Sequence, residues 1–143
     1  MPNIVWSDEL SLGIDMIDRQ HKMLIRLCNH LLIAIRRGKS HSELQALFHE
    51  LSEYTVYHFS AEEKFMEELK YPKLKEHRES HVILKREVRA YQNRLFHQEE
   101  INPDEVLAFM RKWLIEHILG EDRAIGRYHH RDDHLKKNDD MVH

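Results

Sequence analysis

Apolar residues recur along four stretches of the chain at alternating steps of three and four, which places them on one face of an α-helix. In the first stretch these residues are Leu24, Cys28, Leu31 and Ile35. The later three present Leu44, Leu47, Leu51, Phe65 and Leu69; Leu74, Leu84, Val88, Tyr91 and Leu95; and Val106, Met110 and Leu114. Strand-like alternation is absent. The pattern predicts an all-α fold of four helices that each bury one face.

Capping residues, glycine and proline set the expected ends of these helices. Asp18 is expected to cap the first helix and Gly38 to stop it, while Ser40 and Glu43 form a capping box for the second. Pro103 suits the first position of the fourth. We expect helices over about 18–37, 41–70, 73–96 and 103–128, an extended N-terminal arm over 1–17 and a short tail over 129–143. Because the connections are short, the helices should form an antiparallel up-down-up-down four-helix bundle.

Length and composition narrow the class of protein further. The 143 residues fit a single domain, and the net charge of only -3 gives no basic stripe for nucleic acid. No apolar stretch approaches the roughly 20 residues of a membrane span. The lone Cys28 excludes an internal disulfide and fits a reducing compartment, and the N-terminus has no signal-peptide pattern. We therefore expect a cytoplasmic protein without nucleic-acid or membrane partners.

Polar side chains interrupt the apolar faces at what looks like one level of the bundle. They are five histidines and two acids: His21, His58, Glu62, His77, His81, His117 and Asp122. Imidazole and carboxylate are ligands that iron, zinc and manganese accept. Without a partner, each buried carboxylate would cost several kcal/mol. The pattern predicts a metal site, with room for a pair of ions, inside the bundle.

The remaining histidines serve as an internal control. His30 lies nine residues after His21, and His49 lies nine residues before His58. At 100° per residue, either step ends about 180° away, on the outer face of the helix. We expect eight of the 13 histidines to be solvated: His30, His41, His49, His97, His129, His130, His134 and His143.

Spacing within each helix refines the ligand set. His58 with Glu62, and His77 with His81, are four residues apart and share a face one turn apart. The same rule favours Glu62 over its neighbour Glu63 as the inward acid.

The acid of the fourth helix is ambiguous on spacing alone. Asp122 is five residues after His117, about 140° around a regular helix, whereas Glu121 at four residues is better placed. Either Glu121 is the ligand, or the helix is locally widened in the π manner so that Asp122 swings inward. Gly120 would ease such a widening.

These residues lie in motifs that follow one another in a fixed order along nearly the whole chain. The motifs are Trp6 with Gly13, Ile17-Asp18-Arg19-Gln20-His21, His58-Phe59-Ser60-Ala61-Glu62-Glu63, His77-Arg78-Glu79-Ser80-His81 and Trp113-Leu114-Ile115-Glu116-His117-Ile118-Leu119-Gly120-Glu121-Asp122. Together they resemble the motifs of the hemerythrin family, in particular its single-domain bacteriohemerythrins.

The resemblance implies a non-haem di-iron centre in a four-helix bundle. One iron would take His77, His81 and His117, the other His21 and His58, with Glu62 and Asp122 bridging both. The family's aspartate favours Asp122 over Glu121. With a bridging oxygen, five imidazoles and two bridging carboxylates fill all but one of about twelve octahedral positions. The open position is on the iron with two histidines, where O2 would bind.

The function that the resemblance implies is reversible O2 binding for oxygen storage, delivery or sensing, not enzyme catalysis. The expected apolar lining of the O2 pocket is Leu24, Trp113, Leu114, Ile118 and Leu119. The alternative is a di-iron enzyme on the same bundle: a peroxidase, or a protein that handles nitric oxide or repairs iron centres. A ferritin-like oxidase is disfavoured because the sequence has no Glu-x-x-His motif. A zinc hydrolase would need a separate acid or base beside the ligands.

Overall fold

The computed structural model describes residues 4–131, which form the antiparallel four-helix bundle that the sequence predicted. The helices are α1 (Asp15–Arg36), α2 (His41–Leu69), α3 (Leu74–Phe96) and α4, which begins at Pro103. The described residues contain no strand, and none of their helices is both long and apolar enough to cross a membrane. Of the predicted tail, 129–131 still belongs to α4, and the rest lies outside the described residues.

The start of α1 differs from the sequence prediction. The helix begins at Asp15 after Ile14, which makes no side-chain cap, so Asp18 lies inside the first turn and is not the N-cap. Its carboxylate instead accepts hydrogen bonds from Leu12 N (2.8 Å) and Ser11 Oγ (2.6 Å). Asp18 therefore fastens the arm to the helix, because its side chain reaches the unpaired donors that precede the helix.

Three other helix ends follow the predicted chemistry. Gly38 adopts a φ of 67°, and the N–H that follows it donates to Ala34 O (3.1 Å), which closes α1. Ser40 Oγ accepts a hydrogen bond from Glu43 N (3.2 Å) at the start of α2. Pro103 occupies the first turn of α4. Local sequence is sufficient here because each cap involves residues within one turn.

The fourth helix is irregular over a longer stretch than expected. It is α-helical over Pro103–Met110, π-helical over Arg111–Glu116 and Ile118–Asp122, and α-helical again over 123–131. Widening near Asp122 was one of the two open alternatives, and it is present. A Cβ built at Gly120 would meet no neighbouring element within 4 Å, so packing does not require a glycine at this position.

The predicted apolar faces form the core of the bundle. Leu24, Cys28, Leu31 and Val88 are among its buried members. Near the end of α2 the fully buried residue is Met66, whereas its neighbour Phe65 is only partly buried. The inner face of α2 thus shifts by one residue beyond the level of the polar cluster.

The N-terminal arm packs against the bundle and is not wholly extended, because Asp8–Leu10 forms a turn of 3-10 helix. Asn29 holds the arm through Ile4: its Oδ1 accepts from Ile4 N (2.9 Å) and its Nδ2 donates to Ile4 O (2.8 Å). At the other end of the arm, His130 Nε2 lies 3.0 Å from Leu12 O. His130, expected to be solvated in a tail, is therefore an exposed helical residue that contacts the arm.

Candidate metal centre

The seven side chains expected to bind metal meet at one level in the core, with contributions from all four helices. Six are buried, and His117 is only slightly exposed. Their ligand atoms form two groups, each with all atoms within 4.8 Å of one another, and both groups include the same two carboxylates. The groups are Glu62, His77, His81, His117 and Asp122, and His21, His58, Glu62 and Asp122.

The two oxygens of Glu62 face different histidines. Oε1 lies 2.7 Å from His77 Nε2 and 3.0 Å from His81 Nε2. Oε2 lies 3.2 Å from His58 Nε2 and 3.6 Å from His21 Nε2. One oxygen thus serves each histidine set.

Asp122 divides its oxygens in the same way. Oδ1 lies 2.9 Å from His77 Nε2 and 3.0 Å from His117 Nε2, while Oδ2 lies 3.0 Å from His21 Nε2. Glu121, the alternative acid, points outward and its side chain is 48% exposed. The π-helical backbone, which adds one residue to the turn, is what brings Asp122 to the side of His117.

The geometry fits a pair of metal ions. Nitrogen and oxygen ligands lie about 2.0–2.2 Å from such ions, so neighbouring ligands at right angles are about 3 Å apart. Most of the nitrogen-to-oxygen distances in the cluster have this value. Buried polar atoms normally have hydrogen-bond partners, yet six inward atoms lack one of normal geometry. They are His21 Nε2, His58 Nε2, His117 Nε2, Glu62 Oε2 and both oxygens of Asp122.

Both carboxylates are held in the ionised form. Burial raises the pKa of Glu62, but the four histidines that face its oxygens outweigh burial and leave the pKa well below its usual value. For Asp122, burial and the nearby charge of Glu62 raise the pKa, while His117 and His21 lower it further than that. The net pKa of Asp122 is lowered.

The same two carboxylates act on the pKa values of the histidines. Burial lowers the pKa of His21, but Asp122 and Glu62 outweigh burial and raise it to about 9. The same balance raises the pKa of His77 to about 10. At His58, burial dominates and the pKa is lowered. Metal ions bind unprotonated imidazoles. An ion that binds to the metal-free chain must therefore displace protons from His21 and His77.

A second layer of polar side chains, which the sequence analysis did not assign, lies behind the histidines. His58 Nδ1 donates to Gln20 Oε1 (2.6 Å), and His81 Nδ1 donates to Glu63 Oε2 (3.0 Å). Glu121 lies behind the other two histidines of the larger group. The available signal was adjacency, since each of the three immediately adjoins a metal-type residue in the sequence.

A small cavity adjoins His21 and His58. Its volume is about 10 Å³, on a scale where one water needs about 10–15 Å³. The apolar lining residues are Leu24, Phe59, Trp113, Leu114 and Ile118, and the polar ones are His21, His58, His117 and Asp122. Four of the five expected pocket residues therefore line this cavity.

Leu119 is the exception among the expected pocket residues. It lines a surface groove between the arm and α4, together with Leu10 and Ile115, while its neighbour Ile118 lines the small cavity. Phe59 takes part instead, and its ring stacks on His81 with 3.8 Å between ring centroids. Its position directly after His58 was a usable signal.

Comparison with known proteins agrees with this geometry. Residues 12–128 match the family model described as the hemerythrin HHE cation binding domain. The chain belongs to the hemerythrin family. A bacteriohemerythrin of Stenotrophomonas maltophilia is 36% identical over 124 residues, which cover 87% of this chain and 80% of that protein. A bacteriohemerythrin of Clostridium acetobutylicum is 31% identical over 123 residues, covering 83% and 95% respectively.

A solved hemerythrin has the same fold. The crystal structure of a leucine-to-alanine mutant of hemerythrin aligns with a TM-score of 0.81 and 28% sequence identity, covering 90% of this chain and 98% of that one. Hemerythrin-family membership and the buried cluster together make this protein a non-haem iron-binding domain.

Proposed function

We propose that this hemerythrin domain binds O2 reversibly at two iron ions, in oxygen storage, delivery or sensing. The observation that carries the proposal is the division of the carboxylate oxygens. In both Glu62 and Asp122, one oxygen faces the three-histidine group and the other faces the two-histidine group. A single ion would need only one oxygen from each carboxylate, whereas two bridged ions use both.

The proposed ligands follow from the two groups. One ion would be held by three histidines and the other by two, with both carboxylates shared: His77, His81 and His117; His21 and His58; Glu62 and Asp122. When bound, two ferrous ions supply two electrons and one open coordination position to O2. The small cavity is lined by both histidines of the two-histidine group and by one of the other three, His117, so it supports binding of O2 beside the two-histidine position.

The cavity walls support binding in preference to catalysis on a larger substrate. Leu24, Leu114 and Ile118 are almost fully buried, and such walls hinder the entry of water and the escape of charged species. The volume of about 10 Å³ is at the lower limit for one water molecule, so an organic substrate would not fit there. We propose that the domain is not an enzyme acting on an organic substrate. Peroxide and nitric oxide are the competing ligands that the experiment must distinguish from O2.

The test begins with metal-free protein reconstituted with Fe²⁺ without air. We expect about two irons per chain, a colour on exposure to O2 and bleaching on deoxygenation over several cycles. His58→Ala should abolish the reversible colour change, whereas the matched variant His49→Ala, on the exposed face of the same helix, should retain it. Irreversible oxidation after one exposure, with turnover of peroxide or nitric oxide, would instead identify an enzyme.

A further inference from the structure

The five histidines of the cluster all use the same ring nitrogen. Nε2 faces Glu62 or Asp122 in every one. A ring that binds metal through Nε2 carries its hydrogen on Nδ1, which therefore points outward as a donor. The group that accepts the hydrogen bond from Nδ1 then influences how strongly Nε2 donates electrons to the metal.

Carboxylates lie behind the three-histidine group. His81 Nδ1 donates to Glu63 Oε2 at 3.0 Å. Glu121 Oε2 lies 4.0 Å from His77 Nδ1 and 3.9 Å from His117 Nδ1, so a single carboxylate faces two rings.

Both outer carboxylates are fixed in orientation by their second oxygen. Arg78 Nε donates to Glu63 Oε1 (3.1 Å), and the positive charge of Arg78 offsets part of the negative charge of Glu63. Ser80 Oγ donates to Glu121 Oε1 (2.7 Å), and this hydroxyl is neutral. The charge of Glu121 is thus held beside His77 and His117.

The outer partner on the two-histidine side is neutral. Gln20, only 7% exposed, accepts from His58 Nδ1 through Oε1 at 2.6 Å, while its Nε2 lies 3.2 Å from Met16 Sδ. His21 Nδ1 has no hydrogen-bond partner among the described residues. The two groups therefore differ in their outer charge as well as in their number of histidines.

We propose that Glu63, Glu121 and Gln20 act as positioning residues that make the two metal positions electronically unequal. A carboxylate acceptor makes an imidazole a stronger electron donor than an amide does. Glu63 and Glu121 therefore favour the ferric state of the three-histidine iron, whereas Gln20 keeps the two-histidine iron easier to reduce and so available to O2. The inference rests on the proposed function, because it assumes an iron in each group.

Isosteric exchanges of glutamate and glutamine test the proposal, because they change charge with little change in shape. The variants are Glu63→Gln, Glu121→Gln and Gln20→Glu. The matched control is Glu53→Gln, which alters a carboxylate 3.0 Å from the exposed His49, outside the cluster. For each protein, the stepwise affinity of the metal-free chain for Fe²⁺ is measured without air, and the midpoint potential of the loaded protein is measured with redox mediators.

The expected shifts have opposite signs. Glu63→Gln and Glu121→Gln should weaken the tighter Fe²⁺ binding step by about tenfold or more and raise the midpoint potential. Gln20→Glu should strengthen the weaker step and lower the potential. A tenfold change in a one-electron oxidation equilibrium corresponds to about 59 mV. Glu53→Gln should move neither quantity.

If the midpoint potentials of Glu121→Gln and Gln20→Glu equal that of the control Glu53→Gln, the inference is overturned. Glu121→Gln is the decisive variant if Glu63→Gln misfolds, because the Glu121 side chain is half-exposed and does not bear on the core. Equal weakening of both Fe²⁺ steps in every variant would indicate a purely structural role and also overturn it. If the wild-type chain takes two irons but never binds O2 reversibly, the proposed function fails, while the shifts in potential still decide the inference.

Discussion

A histidine in this chain belongs to the cluster because of its helical face, not because histidine is rare. His30, His49 and His97 are exposed, as the spacing from their inward neighbours predicted. The inward histidines are distinguished by two buried acids, Glu62 and Asp122, whose oxygens lie near all five Nε2 atoms. The chemistry of the site therefore depends on the pairing of residue types within one face.

Removing one inward histidine should remove iron. His77 Nε2 lies 2.7 Å from Glu62 Oε1 and 2.9 Å from Asp122 Oδ1, at the centre of the three-histidine group. Loss of an outer partner alone costs about 10–100-fold in metal affinity, so His77→Ala should cost more than about 100-fold. His49→Ala, which removes an exposed side chain, should leave the iron content per chain unchanged by metal analysis. Equal iron loss in both variants would contradict the assignment.

The raised pKa values of His21 and His77 predict the pH dependence of the metal-free protein. These pKa values are about 9 and about 10, against 6.5 for an ordinary histidine. The stabilising effect of their protonation is therefore complete below about pH 6.5 and is lost as pH rises through 9 to 10. Glu62 and Asp122, whose pKa values are lowered, contribute above their ordinary range, and that contribution is lost on acidification.

Chemical unfolding of metal-free protein between pH 4 and pH 9.5 measures this effect. We expect the free energy of unfolding to be greatest in mildly acidic solution and to fall on both sides. In His77→Gln the alkaline decrease should be smaller, while the surface lysines and arginines are unchanged. An alkaline decrease of equal size in His77→Gln would show that His77 is not its source.

At the scale of whole elements, α4 is the helix whose shape matters most for the site. Its π-helical turns carry Trp113, Leu114, Ile118 and Asp122 to buried positions that a regular helix would not place together. Trp113 Nε1 donates to Leu84 O on α3 (3.0 Å), which fixes the wider turns against a neighbour. A regular periodicity fails here because the backbone itself changes its residues per turn.

Helix ends offer a stability test away from the metal cluster. Gln98, just after α3, has a φ of 58°, which costs a non-glycine residue about 1–2 kcal/mol. Gln98→Gly should raise the free energy of unfolding by about 0.5–1 kcal/mol after the extra entropy of glycine in the unfolded chain is included. Gly38, with a φ of 67° and open space around it, provides the reverse change, and Gly38→Ala should lower that free energy. Urea unfolding should show these opposite signs, and a decrease in both variants would contradict the argument.

At the scale of the whole molecule, the N-terminal arm packs closely against the last part of α4. A Cβ built at Gly126 would lie 2.7 Å from Leu12 O and 3.1 Å from Leu12 Cβ. Gly126→Ala should therefore lower the free energy of unfolding by about 1–3 kcal/mol, as overpacking does. Gly120→Ala, in the same helix with open space, should be neutral or slightly stabilising. Thermal unfolding of the metal-free variants checks both, and similar effects would mean that the arm does not approach α4 so closely.

Iron should also stabilise the whole fold, since ligands from all four helices bind it together. A ligand that binds only the folded state adds about 4 kcal/mol at 1,000 times its dissociation constant. Removing iron with a chelator should therefore lower the thermal midpoint by several degrees, and adding Fe²⁺ without air should restore it. His49→Ala should show the same response, whereas His77→Ala should show a much smaller one. A thermal midpoint that is indifferent to iron in the wild-type chain would contradict this prediction.

The sequence by itself determined the all-α bundle, the caps at Ser40 and Gly38, and the four faces that carry the metal-type residues. Those features depend on local spacing and residue chemistry, which a helix of constant pitch translates directly into position. Spacing left Glu121 and Asp122 open and the family resemblance favoured Asp122, but only the tertiary structure showed the widened turn that brings Asp122 inward. Only the tertiary structure placed Leu119 outside the small cavity and Gln20 behind His58. The reason is physical: a widened turn and contacts between helices depend on packing over the whole core, which no single helical period encodes.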